Sequence, residues 1–200
     1  LIEKSVPFED PACEPHTIGL DPTTPLDELR TLAESSDETI QCNVAQNPSA
    51  PMEVLRSLAK SSGIAVRSAV ASNSVTPQNV LLDLATDSAV KVRIALAGND
   101  KVNLEVLKRL ASDVDPEVLS TLARNPALSS ELIEVFAKDK DGLVRRNIAK
   151  NTSATSEVLA LMTKDNDVWV RRNIASNPFA SDKILISMLS KKPLWTYKKI

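Results

Sequence analysis

The carboxylates of three Asp-x-Asp turns, Asp113/Asp115, Asp139/Asp141 and Asp165/Asp167, come closest to a metal site in type and spacing. Calcium needs about six to eight oxygens around one point, and two carboxylates per turn without further acceptors or a turn glycine fall short. Lys140 stands between one of the pairs and opposes a cation there. These aspartates are therefore expected to start helices and to pair with arginines, with no metal bound. Catalytic chemistry is thinner still. His16 is the one histidine and lies in an irregular opening stretch, and the repeat described below places no histidine beside Cys13 or Cys42. No phosphate-cradling glycine loop, zinc-ligand spacing or nucleophile elbow is present. The chain is expected to be no enzyme and to need no cofactor.

A second set of charged groups recurs regularly. Arg67, Arg93, Arg145 and Arg171 are spaced in multiples of 26, and so are Asp87, Asp113, Asp139 and Asp165. Both columns are occupied in Asp87/Arg93, Asp139/Arg145 and Asp165/Arg171. Planar guanidiniums beside stacked carboxylates suit a structural ladder that ties the two helices of a unit and the next unit together. The same arginines facing a groove would instead hold phosphate or carboxylate.

What positions these groups is an unbroken 26-residue repeat. Asp21, Asn47, Asn73, Asn99, Asn125, Asn151 and Asn177 mark its first position, and the twenty-fifth is alanine in all six complete units, from Ala45 to Ala175. Apolar residues fall at positions 8, 9, 12 and 13 and again at 20, 24 and 25, which are two helical stripes. The spacing predicts a first helix over positions 5–14, with Thr24 and Thr76 as caps and Pro25 and Pro77 at the first helical position. A shorter second helix is predicted over positions 18–25, opened by Asp37, Asp115, Asp141 and Asp167 and stopped by the asparagine, which tolerates left-handed backbone. Asn47, Asn73, Asn99, Asn125 and Asn151 are expected to stack as a ladder that satisfies backbone groups no helix reaches. The alanine column marks the closest approach of successive helices, so Ala97→Leu is expected to cost on the order of 1–3 kcal/mol.

The segments NPSAPMEVLRSLA, VRSAVASN and VRRNIASNPFASDKIL resemble the bacterial leucine-rich repeat variant family over about residues 21–190. The resemblance implies an all-α solenoid of alternating α- and shorter, often 3₁₀, helices wound into a right-handed superhelix. Some members hold an iron–sulfur cluster on N-terminal cysteines that this sequence lacks, so that cofactor is not expected here. The aspartate and arginine columns also resemble HEAT repeats. The expected organisation is an irregular lead-in at 1–20, six units starting at residues 21, 47, 73, 99, 125 and 151 with a partial one at 177, and a tail at 191–200.

Since the recurring residues have structural duties, function falls to positions that vary. Outward positions 19, 22, 23 and 26 are small in early units, as in Ala65, Ser68, Ala69 and Ser72. In the last two they become Leu143, Arg146, Asn147 and Lys150, then Trp169, Arg172, Asn173 and Ser176. An indole with guanidiniums and amides on one face has the composition of an interaction hot spot. The other reading is a Trp169 that covers the end of the stack together with Trp195 and Tyr197. The expected function is a scaffold that binds a protein partner. The rival is phosphate-backbone binding by the basic half, since residues 1–100 carry seven basic against fourteen acidic side chains and residues 101–200 seventeen against twelve. The overall net charge of -2 is low for a dedicated nucleic-acid binder.

At 42% hydrophobic and 25% charged, the composition is that of a chain with a core, and no apolar run is long enough to span a membrane. The first fifteen residues do not read as a signal peptide, though a chain opening on Leu1 leaves room for an upstream piece. Cys13 and Cys42 are either one bridge or two free thiols; a reducing cytoplasm favours the latter. A cytoplasmic monomer is expected.

Overall fold

Two apolar stripes of about eight residues are each too short to hold a helix alone, so every unit must press its pair against the next. The computed structural model describes residues 18–189. Cys13, His16, Trp195, Tyr197, nearly all of the lead-in and the tail lie outside the described residues. All thirteen regular elements among the described residues are α-helices.

The chain divides into two compact units, the first ending at Ala95 and the second beginning at Leu96. The N-terminal unit holds α1 (Leu26–Ala33), α2 (Glu38–Gln46), α3 (Met52–Leu58), α4 (Ile64–Ser72) and α5 (Gln78–Leu84), and α6 (Val90–Ala97) runs across the division. Within it α2 lies along α4 and α1 along α3, so like helices stack on like while α2 and α3 close the layer between them. Leu29, Leu55 and Leu81 at position 9, with Val44, Val66 and Val70 from the second helices, are sealed from solvent. Burying each such leucine contributes about 1.5–3 kcal/mol.

The C-terminal unit repeats the scheme with α7 (Leu104–Leu110), α8 (Pro116–Leu122), α9 (Ser130–Phe136), α10 (Gly142–Lys150), α11 (Ser156–Met162), α12 (Val168–Ser176) and α13 (Asp182–Leu189). Here α8, α10 and α12 lie side by side, and α11 packs on α13. Phe136, Leu107, Leu110, Ile133, Ile148 and Ile174 fill the interior. The column-25 alanines Ala45, Ala71, Ala97, Ala123 and Ala149 have no accessible surface, which leaves a larger side chain nowhere to go.

Three local expectations need correction. The second helices are mostly not the shorter ones: α2, α4, α10 and α12 have nine residues and α6 eight, with only α8 at seven, against seven in α3, α5, α7, α9 and α11 and eight in α1. They are α-helical rather than 3₁₀, each packed along a neighbouring second helix. Tight i→i+3 bonds appear in the turns between helices and at helix ends, as from Ser61 N to Leu58 O and from Val80 N to Pro77 O. Pro25 and Pro77 occupy the cap position itself, one residue before the helix. The hydroxyls of Thr24 and Thr76 do not cap; they donate backwards to the carbonyls of Ile18 and Val70, at 2.5 and 2.7 Å. Finally, Asn47, Asn73, Asn151 and Asn177 leave their helices extended, with φ between -76° and -65° and ψ between 126° and 128°. The proline after Asn47 and Asn177 pushes the preceding residue that way, and the side-chain bonds described next hold it there.

Candidate functional site

The repeated polar groups are spent inside the fold. Each ladder asparagine is buried, and the Nδ2 of Asn47, Asn73, Asn125, Asn151 and Asn177 donates to two carbonyls, 28 and 26 residues back. Asn73 reaches Ala45 and Asn47 at 2.7 and 2.9 Å, and Asn151 reaches Ala123 and Asn125 at 2.9 and 3.1 Å. Asn47, Asn125 and Asn177 bond in the same manner. The Oδ1 of each accepts from an amide two residues on, as Asn99 does from Lys101 at 2.8 Å. One side chain thus satisfies three backbone groups, two carbonyls from 26 and 28 residues back and an amide of its own turn.

The arginine column binds across units rather than within one. Arg67 grips the Asp87 carboxylate through Nε and Nη2 at 2.6 and 3.0 Å, and Arg145 grips Asp165 at 2.7 and 3.0 Å. Toward the aspartate of its own unit the guanidinium turns to the backbone instead: Arg145 Nη1 donates to the carbonyl of Asp139, and Arg93 Nη1 to that of Asp87. Hydrogen bonds from Arg67 and Arg145 hold the Asp87 and Asp165 carboxyls below their ordinary range, against the opposing effect of burial. In the first unit the same place is filled without charge: Gln41 Nε2 donates to Ser35 O at 2.7 Å, and Ser61 Oγ donates to Gln41 Oε1 at 3.3 Å.

The outward patch divides on inspection. Asn147 and Asn173 are buried, donating to the carbonyls of Ser120 and Arg146 at 2.8 and 3.0 Å, so position 23 faces the preceding helix and not solvent. Arg146 is half committed: its Nε meets Asp167 Oδ2 at 2.6 Å, while Asp167 Oδ1 caps α12 through the Trp169 amide at 2.8 Å. Burial pushes the Asp167 carboxyl up, but Arg146 and the amides of Trp169 and Val170 outweigh it and keep it below its ordinary value. Gly142 leaves room for this carboxylate, since a Cβ there would stand 3.0 Å from its Oδ2. What remains open is Leu143 and Lys150 on α10 and Trp169 and Arg172 on α12. Trp169 is 49% exposed, and the Arg172 guanidinium lies over its ring, 5.2 Å from the ring centre, in a cation–π contact.

Beside this patch a cleft of about 510 Å³ runs between α12 and α13, walled by Val168, Ala175, Leu185, Met188 and Leu189 with Arg171 and Arg172 at its edge. The sequence patch omits this cleft, since Ala175 matches its column in sequence and differs only in being exposed where the other alanines are sealed. Among the described residues no group of three or more His, Cys, Asp and Glu is arranged to hold a metal ion, and no helix is long and apolar enough to cross a membrane. Cys42 is a free, half-buried thiol whose pKa burial and Glu38 push up, away from nucleophilic use.

Paired short helices stacked like on like, with a buried asparagine in each turn, define a helical-repeat scaffold. A solved structure titled "a leucine-rich repeat variant with a novel repetitive protein structural motif" matches this chain with a TM-score of 0.59 and 23% identity, over 83% of this chain and 71% of that one. The fold is that of a leucine-rich repeat variant solenoid. No protein-family model and no curated protein matches the chain.

Proposed function

We propose that the protein is a non-catalytic scaffold that docks a protein partner on the outward surface of α10 and α12. The observation that supports it is the half-exposed Trp169 with Arg172 stacked over it, next to exposed Leu143 and Lys150. Large aromatic area presented at low side-chain entropy, rimmed by cations, is what interface hot spots use. The reading places the protein in a reducing compartment such as the cytoplasm, in keeping with the free thiol of Cys42. Phosphate-backbone binding is the weaker alternative. Arg145 and Arg146 already face Asp165 and Asp167, which removes two cations from any path a nucleic acid would follow.

Affinity capture from the native host tests the reading, comparing wild type with Trp169→Ala and Arg172→Ala. The expected outcome is a partner retained by wild type and lost by both variants; identical retained sets remove this surface from function. Oligonucleotide titration at two salt concentrations tests the alternative. Salt-sensitive binding weakened by Arg172→Ala and Lys150→Ala would move the function to nucleic acid.

A further inference from the structure

Among the described residues the arginine column ends on a half-made rung. In each complete rung one edge of the guanidinium holds the turn of its own unit: Arg67 Nη1 donates to the Ser61 and Ser62 carbonyls at 2.9 and 3.1 Å, and Arg145 Nη1 to those of Asp139 and Lys140 at 2.8 and 3.2 Å. The other edge, Nε with Nη2, takes the carboxylate twenty residues on. Arg171 repeats the first half, with Nη1 donating to the Asp165 and Asn166 carbonyls at 2.5 and 3.1 Å. Its second edge has no acceptor among the described residues, and the residue twenty positions on is a cation, Lys191. Arg171 lines the apolar cleft between α12 and α13, where Val168, Leu185 and Met188 offer a wall for an aliphatic side chain.

We propose that Arg171 is a carboxylate receptor, whose Nε/Nη2 edge takes an aspartate or glutamate of the partner protein while a neighbouring apolar side chain of that partner enters the cleft. This rests on α12 being a protein-docking surface and adds the chemistry of what docks. Two complete rungs define the acceptor: a carboxylate gripped by two nitrogens, a geometry a neutral amide meets with at most one oxygen. The net charge of +5 over residues 101–200 draws acidic segments toward this half of the chain.

The test uses the full chain and capped Leu-Asp-Leu and Leu-Asn-Leu peptides, with binding followed by amide chemical shifts. The aspartate peptide is expected to bind roughly ten- to a hundredfold more tightly than the asparagine peptide, and Arg171→Gln to erase that difference. The variant is expected to fold, because Gln41 fills this column in the first unit and makes the same backbone bond; circular dichroism checks it. Equal affinity for both peptides, or a preference that survives in folded Arg171→Gln, overturns the receptor. Displacement of the probe by a capped peptide of residues 190–200 would assign the cleft to the chain's own end, and self-association abolished by Arg171→Gln would assign it to a second copy; either overturns the proposal. A partner captured in a Trp169-dependent way by a chain indifferent to the aspartate leaves the docking surface standing without the receptor. Aspartate preference with capture indifferent to Trp169 does the reverse.

Discussion

Helix starts in the N-terminal unit are set mainly by proline, and those in the C-terminal unit by side chains that accept hydrogen bonds. Pro25, Pro51 and Pro77 stand before α1, α3 and α5 with no side-chain cap, whereas Asn103, Ser129 and Thr155 cap α7, α9 and α11. Asp115, Asp141 and Asp167 cap the second helices of the C-terminal unit; in the other unit Asp37 does so for α2, but Gly63 stands before α4. Proline acts by limiting the unfolded chain and a cap by bonding in the folded one, with similar magnitudes of about 1 kcal/mol or less per site. The difference teaches which parts of the unit are interchangeable. Caps are, and the outward residues are; the buried asparagine and the packed alanine are not.

The asparagine is where that comparison is most easily broken. Asn73→Ala and Asn151→Ala each strand two carbonyls and an amide, and both are expected to lower stability by about 3–4 kcal/mol in urea unfolding. A loss confined to one unit would mean that the ladder is not common to both. Smaller is the effect of the ion pairs. Asp87 and Asp165 have folded pKa values depressed below 3.8, so their contribution is present above that pH and is lost as pH falls through the folded values. Asp87→Asn and Asp165→Asn are each expected to cost about 2 kcal/mol at neutral pH and to flatten the acid limb of a stability–pH curve. The smallest effect sharpens the contrast itself: Thr155→Ala should cost about 1 kcal/mol and Pro77→Ala about 0.5 kcal/mol. A costlier loss at Pro77, read from denaturation midpoints, would put a folded-state role on proline.

Much of the fold was legible because period 26 fixes phase: once Leu29, Leu55 and Leu81 align, so does every column between them. Which side of a helix meets which neighbour was not. Asp87 lies six residues before Arg93 and twenty after Arg67, and the spacing alone favours the nearer pair; only the reach of the side chain across packed helices selects the farther carboxylate. Asn147 and Asn173 failed as surface residues for a related reason. A second helix packs along the second helix before it, so position 23 points at that previous helix, where an amide finds a carbonyl. Trp169, Arg172, Leu143 and Lys150 were placed outward by their column and remain there.

The reach of the asparagine amide, 26 and 28 residues back and no farther, has an evolutionary corollary. A duplication of one whole unit brings its own donors and finds the acceptors it needs, since every unit ends as the last one did. Inserting or losing any other number of residues within a unit shifts the donor off its carbonyls. A chain built this way is expected to accept changes of length in whole units, about 78 nucleotides at three bases per residue, while a single-codon insertion inside a unit would move the asparagine off its carbonyls.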